Sequence, residues 1–250
     1  MFYHAIDPVL VNLGPVEIRY YGVIYALGFV IFYLFLRHAV KKGYLILEEK
    51  DVDNLIGWLI LGVVGGARLF EVIFYNPGYY LANPLEIIAV WKGGLSFHGG
   101  LLGALMVSYI FCKKRKISLL RLLDVAVIPV TIALALGRVA NFINGELYGK
   151  VTSLPWGVKF QNVEGFRHPS QLYEAAKNLL LLGIAVLSKK YVKKDGQLFG
   201  IFLVGYGVFR FGIEFVKEPE VIIASLSMGQ WLSIPLIIGG WMLIKKKVVY

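Results

Sequence analysis

Seven apolar blocks, each near the length of a bilayer-spanning helix, punctuate this chain and constrain its fold more than any other feature. They run from Ile18 to Arg37, Val52 to Tyr75, Leu95 to Cys112, Leu122 to Phe142, Leu172 to Leu187, Leu198 to Phe215 and Met228 to Ile244. A helix of about 20 apolar residues crosses the roughly 30 Å of hydrocarbon in a bilayer. The fifth block is the weakest, being short and carrying Lys177 near its start. Of 250 residues, 58% are hydrophobic and only 17% charged, and the mean hydropathy is +0.67. A soluble domain of this length could not hide so much apolar surface in one core. The pattern predicts an all-α integral membrane protein forming a single domain over residues 1–250. Asp7 and Glu17 precede the first block without a basic leader, so that block is expected to remain in the mature chain.

The lysines and arginines orient the spans. The loops after blocks one, three and five and the C-terminal tail hold 16 basic residues: Arg37, Lys41, Lys42, Lys50, Lys113, Lys114, Arg115, Lys116, Arg121, Lys189, Lys190, Lys193, Lys194 and Lys245 to Lys247. The opposite side holds six: Arg19, Lys92, Lys150, Lys159, Arg167 and Lys217. This alternation predicts seven transmembrane helices with the N-terminus outside and the C-terminus cytoplasmic. The net charge of +10 is thus topological and does not point to nucleic acid. The segment of approximately 143–171 has the turn signals of a small external cap. Glycines inside the blocks, such as Gly62, Gly66, Gly99 and Gly103, fall at spacings that let helices pack closely.

Charged residues inside the blocks carry the functional signal. Arg68, Glu71, Arg138, Arg210 and Glu214 would each cost about 2.5–3.5 kcal/mol at the bilayer centre if left unpaired. Tyr206, Arg210 and Glu214 are four residues apart and form one stripe along a helix. Arg68 and Glu71, three apart, can face together as an ion pair. Arg138 begins a denser run: it shares a helix face with Asn141, and Asn144, Gly145, Glu146 and Gly149 follow at a predicted helix end. Such density suits a pocket wall, and arginine's planar fork of donors suits a phosphate. His98, among Gly93, Gly94, Gly99 and Gly100 at the outer entrance of the third block, is a candidate general base. His4, His38 and His168 lie too far apart in sequence to suggest a zinc site with it, and Cys112 is alone, so no metal or organic cofactor is expected. His168-Pro169-Ser170-Gln171 reads as a helix start beside the site. Taken alone, the arginines also suit a transporter or channel for an anionic solute. The polar clusters gather toward the outer side, which favours a lipid-processing enzyme.

Several of these runs resemble the bacterial prolipoprotein diacylglyceryl transferase family. They are Tyr20-Tyr21-Gly22, Gly93 to Leu101, Gly137 to Gly149, His168 to Glu174, Tyr206 to Glu214 and Ser227 to Gln230, in the family's order over nearly the full length. Tyr20 departs from the tryptophan of many members. The resemblance implies a multi-pass enzyme of the bacterial cytoplasmic (inner) membrane with its active site toward the outer side. Its reaction would move the diacylglyceryl group of phosphatidylglycerol onto the lipobox cysteine thiol of a preprolipoprotein signal peptide, releasing glycerol 1-phosphate. It implies Arg138 and Arg210 as essential arginines, with Arg138 the main lipid contact. Tyr21, His98, Asn141, Glu146, Gly149, Tyr206 and Glu214 match other functional positions; Arg68 and His168 join the substrate-binding expectation. His98 is a candidate acceptor of the thiol proton, and Tyr21 or Tyr206 a candidate hydrogen-bonding assistant.

Overall fold

A computed structural model describes residues 1–14, 16–219 and 221–245. Lys246 and Lys247 of the C-terminal basic cluster lie outside the described residues. Each apolar block is a helix: α1 (Tyr20–Lys41), α2 (Glu49–Phe70), α4 (Phe97–Arg115), α5 (Leu119–Ile143), α6 (Ser170–Ser188), α7 (Gln197–Ile213) and α8 (Met228–Lys245), with a short α3 (Pro77–Ala82) between the second and the fourth. Among the described residues, three stretches are both long and apolar enough to cross a membrane: Tyr20–Lys41, Glu49–Tyr75 and Leu119–Ile143. The helices leave large apolar side chains uncovered, among them Leu27, Val30, Leu34, Trp58, Leu61, Leu102, Met106, Leu179 and Leu180. Continuous apolar exposure of this kind is unstable in water and suited to lipid.

Two details differ from the sequence reading. The chain is not wholly helical, because the described residues include three two-stranded ribbons. β1 (Phe2–Tyr3) pairs in parallel with β4 (Val158–Lys159), β2 (Val9–Leu13) pairs antiparallel with β3 (Val16–Arg19), and β5 (Ile222–Ile223) pairs antiparallel with β6 (Leu226–Ser227). Ile18 therefore belongs to a hairpin and not to the first helix. The second block does not run on as α-helix either. Its last turn, Glu71–Tyr75, is a π-turn, in which Asn76 N donates to Glu71 O.

The chain packs as two compact units, one of Met1–Phe32 with Leu123–Tyr250 and one of Tyr33–Leu122. In the second unit α2 and α4 meet almost backbone to backbone. A Cβ on Gly103 would strike the carbonyl oxygen of Gly62, and one on Gly99 that of Gly66, so only hydrogen fits. α4 starts where Ser96 Oγ accepts from Gly99 N at 3.4 Å and stops at Lys116, whose φ of 55° turns the chain left-handed.

The first unit repeats the device between α7 and α8. A Cβ on Gly240 would lie 2.6 Å from Gly200 O, and one on Gly207 2.9 Å from Ser233 O. Asp124 of α5 fixes the start of α7: its Oδ2 accepts from Gly196 N at 2.6 Å and its Oδ1 from Phe199 N at 2.7 Å. A carboxylate at a helix N-terminus satisfies free N–H groups and complements the helix dipole. The segment between α5 and α6 folds around Phe160, which is fully buried against His4, Phe142 and Tyr148.

The glycine contacts predict that Gly103→Val will destabilise the protein by at least about 1–3 kcal/mol, the range for overpacking a well-packed site. Gly57, with nothing within 4 Å of its would-be Cβ, should accept alanine with no loss. Thermal unfolding of the two variants in detergent checks the difference.

Candidate active site

The cap segment hands the chain to α6 through Pro169, and the first turns of α6 are buried although polar. Ser170, Gln171, Glu174, Lys177 and Asn178 are all 3% exposed or less. Two of them stitch α6 to the turn after α5: Ser170 Oγ donates to Leu147 O at 2.9 Å and Gln171 Nε2 to Glu146 O at 2.6 Å. This docking brings Glu174 into the middle of a charged cluster drawn from three helices and a loop.

Glu174 is the hub. Arg210 Nη1 bonds its Oε1, and Lys177 Nζ lies 2.6 Å from its Oε2. Arg138 Nε stands back at 3.9 Å from Oε2, as does Lys217 Nζ at 3.9 Å from Oε1. Glu214, one turn beyond Arg210, takes Arg210 Nη2 at 2.6 Å and has Lys217 Nζ at 3.6 Å. Ser227 Oγ donates to Glu214 Oε2 at 2.7 Å, and Gln230 N in turn donates to Ser227 Oγ at 3.1 Å. Gly229 makes room for this carboxylate, since a Cβ there would lie 2.6 Å from Glu214 Oε1. Tyr206, one turn before Arg210, presents its ring 3.8 Å from Lys177 Nζ.

Four cations thus face two carboxylates, a surplus of two positive charges within this cluster. The surplus is also layered. Glu174, Lys177 and Glu214 have side chains 1%, 2% and 5% exposed, whereas Arg138, Arg210 and Lys217 keep 21%, 19% and 13%. The carboxylates form a buried floor, and the three partly open cations look out from it. Uncompensated positive charge in a low-dielectric setting is costly, on the order of several kcal/mol per ion. An anion arriving over the open cations would relieve that cost.

Along the same helix end, Asn141 Nδ2 donates to Glu146 Oε1 at 2.7 Å and Asn144 Nδ2 to the same oxygen at 3.4 Å. Tyr21 pairs with Tyr25 through hydroxyls 3.1 Å apart. Gly149 is a close-approach glycine: a Cβ there would lie 2.8 Å from His168 Cβ, and its N donates to His168 O at 2.9 Å. His168 Nδ1 lies 3.2 Å from the Tyr173 hydroxyl, and burial lowers its pKa from the ordinary imidazole value.

In the other unit, the expected Arg68–Glu71 ion pair does not form. Arg68 is buried, and its Nε, Nη1 and Nη2 donate to five carbonyl oxygens, those of Ile87, Gly93, Gly94, Glu86 and Ala89. A guanidinium has five N–H donors, so this loop consumes the whole set. Tyr80 stacks on it at 4.9 Å, and Gly94, at φ +67°, has no room for a side chain beside Arg68 Nη1. Glu71 instead accepts from Asn76 Nδ2 at 2.7 Å. His98 is exposed in the first turn of α4 beside Phe97.

Spacing along the sequence found the Tyr206–Arg210–Glu214 stripe and the Arg138–Asn141 face. It missed Glu174 as the hub, and Lys177 and Lys217 as members. A lysine three residues after a glutamate inside an otherwise apolar block was the available sign of Lys177.

The model of the family described as prolipoprotein diacylglyceryl transferase matches residues 8–245. The chain belongs to that family. A relative from Bordetella parapertussis is 43% identical over 95% of this chain and 94% of its own length, and one from Cupriavidus metallidurans is 43% identical over 94% and 90%. One from Nitrosomonas europaea is 41% identical over 94% and 87%. All three are named phosphatidylglycerol–prolipoprotein diacylglyceryl transferase. The family is a membrane enzyme, in keeping with the apolar helices described above.

Removing the hub should be expensive for the fold. Glu174→Ala leaves four cations around one carboxylate and is expected to destabilise the protein by about 3–5 kcal/mol. Thermal unfolding in detergent measures this; Glu174→Gln, which keeps the volume, should lose less.

Proposed function

We propose that this chain transfers the diacylglyceryl group of phosphatidylglycerol to the lipobox cysteine thiol of preprolipoproteins, releasing glycerol 1-phosphate. The observation that carries the reading is the cluster of four cations over two buried carboxylates. Phosphatidylglycerol has one phosphodiester charge. When the cysteine thiolate attacks the glycerol carbon, a C–S bond forms, the C–O bond to phosphate breaks, and a phosphate monoester leaves with two negative charges. A site with two surplus positive charges favours that product side and the transition state leading to it.

Arg138 is the main phosphate contact in this reading, because its guanidinium stands off from the carboxylates. Arg210 is fixed between Glu174 and Glu214 and contributes its field and its open edge; Glu214 holds it there. Lys217 adds a third open cation. Tyr206, one turn before Arg210 on α7, assists by hydrogen bonding. Tyr21, Asn141 and Glu146 bind the headgroup glycerol through hydroxyl, amide and carboxylate groups at the same helix end. Gly149 and His168 shape the wall. The thiol proton passes to His98. Arg68 is assigned to holding the loop from Glu86 to Gly94, all its donors being in use. The nucleophile comes with the peptide, so Cys112, buried in α4, has no part. Nothing in the similarities favours an anion transporter.

The seven helices are read as seven spans of the cytoplasmic membrane, with the N-terminus and the cap segment outside and the active site toward the outer side. The basic-residue asymmetry supports this. In a Cys112→Ser background, Lys159→Cys should react with an impermeant maleimide in intact cells and Lys190→Cys should not. The reverse pattern would invert the topology.

The activity itself is tested with purified protein, phosphatidylglycerol and a lipobox peptide, with mass spectrometry reading the diacylglyceryl adduct. Wild type should form it. Arg138→Ala should remain folded and lose turnover by at least about 10²-fold, the scale of losing a principal oxyanion donor. His98→Gln should show a severe loss, and near-normal rates across pH would remove it as the base.

A further inference from the structure

Arg138 and Lys177 approach the same oxygen, and only one of them has it. Glu174 Oε2 lies 2.6 Å from Lys177 Nζ but 3.9 Å from Arg138 Nε. An arginine and a carboxylate left to themselves close to a charge-assisted contact of about 2.7–2.9 Å, commonly bidentate. Here the guanidinium is held roughly 1 Å short of that distance. Glu174's other oxygen is already bonded to Arg210 Nη1. Lys177 therefore fills the place that Arg138 would otherwise take, and its positive charge repels the guanidinium from it.

We infer that Lys177 is a positioning residue, whose task is to keep Arg138 disengaged from Glu174 and available to the lipid phosphate. The inference rests on the phosphate-binding role of Arg138 proposed above. Lys177 is no ligand itself, because its side chain is 2% exposed. It is also well fixed. Its ammonium sits 3.8 Å from the centre of the Tyr206 ring, a cation–π contact made stronger by burial. One aromatic side chain thus pins the blocking lysine by its face.

Without Lys177, Arg138 would collapse onto Glu174 Oε2. The incoming phosphate would then have to break that ion pair before binding, in the ground state and the transition state alike. A penalty common to both states raises KM and leaves kcat unchanged. A merely structural role for Lys177 would act differently, lowering the folded fraction and thus apparent kcat while moving no KM.

The experiment is steady-state kinetics of the full chain in mixed micelles, with phosphatidylglycerol varied by mole fraction against phosphatidylcholine and a lipobox peptide as acceptor. Lys177→Met should raise the phosphatidylglycerol KM about tenfold, with the peptide KM within about twofold of wild type and any fall in kcat from the lost charge smaller than the rise in KM. Lys177→Arg, which still offers a cationic donor to Oε2, should stay within about threefold. If Lys177→Met does not accumulate, Lys177→Gln replaces it, and a rise of at least about threefold is expected. A phosphatidylglycerol KM within twofold of wild type in the uncharged variant, or a fall in kcat alone, overturns the inference. If Arg138→Ala has meanwhile lost turnover, the reading of Arg138 stands without it. If Arg138→Ala keeps wild-type turnover, that reading fails and takes the inference with it.

Discussion

A single carboxylate, Glu174, holds two arginines and two lysines within 4 Å of its oxygens at a position almost wholly removed from solvent. Like charges brought this close repel strongly in a medium that screens poorly, so the cations can be gathered only around a counter-charge. Glu214 supplies the second counter-charge and is itself anchored by Ser227. The two acids satisfy part of the positive charge and leave the rest. That remainder suits the proposed departure of a phosphate monoester, and it exists only because the acids are buried beneath the cations.

The backbone makes the arrangement possible. α7 carries Tyr206, Arg210 and Glu214, and it can press against α8 because Gly200, Gly207 and Gly240 present no side chain at the crossing. Gly229 leaves the space that the Glu214 carboxylate occupies. Asp124 caps the other end of α7 and sets its register against α5. In the Tyr33–Leu122 unit the same economy appears with different chemistry. Glycines bring α2 against α4, and Arg68 serves as a template on which five carbonyls of one loop converge. Two arginines in apolar blocks thus do unlike work. Arg68 has spent every donor on the protein, while Arg138 is held apart from its nearest carboxylate.

The helices were legible because an apolar block has one stable form in lipid, where every backbone N–H and C=O must be satisfied within the segment. All seven blocks matched helices to within a few residues, including the fifth, whose Lys177 had weakened it. Short-range geometry was equally readable where both partners sat on one helix, as with Arg210 and Glu214. It failed for Arg68 and Glu71, since the loop from Glu86 to Gly94 offers Arg68 five carbonyl acceptors and Glu71 bonds Asn76 instead. The ribbons escaped notice because strands of two to five residues carry no usable periodicity.

Sequence by itself determined that the chain is built of apolar helices, that some of its charges must be neutralised inside them, and which short runs bear the family's chemistry. Spacing, burial cost and motif are properties of neighbours along the chain, so they can be read in order. Only the tertiary structure decided which charge meets which. Glu174 on α6, Arg138 on α5, Arg210 on α7 and Lys217 beyond it are far apart in sequence, and their attraction depends on ångström distances set by helix packing. The same packing settles that Lys177, and not Arg138, holds the second oxygen of Glu174.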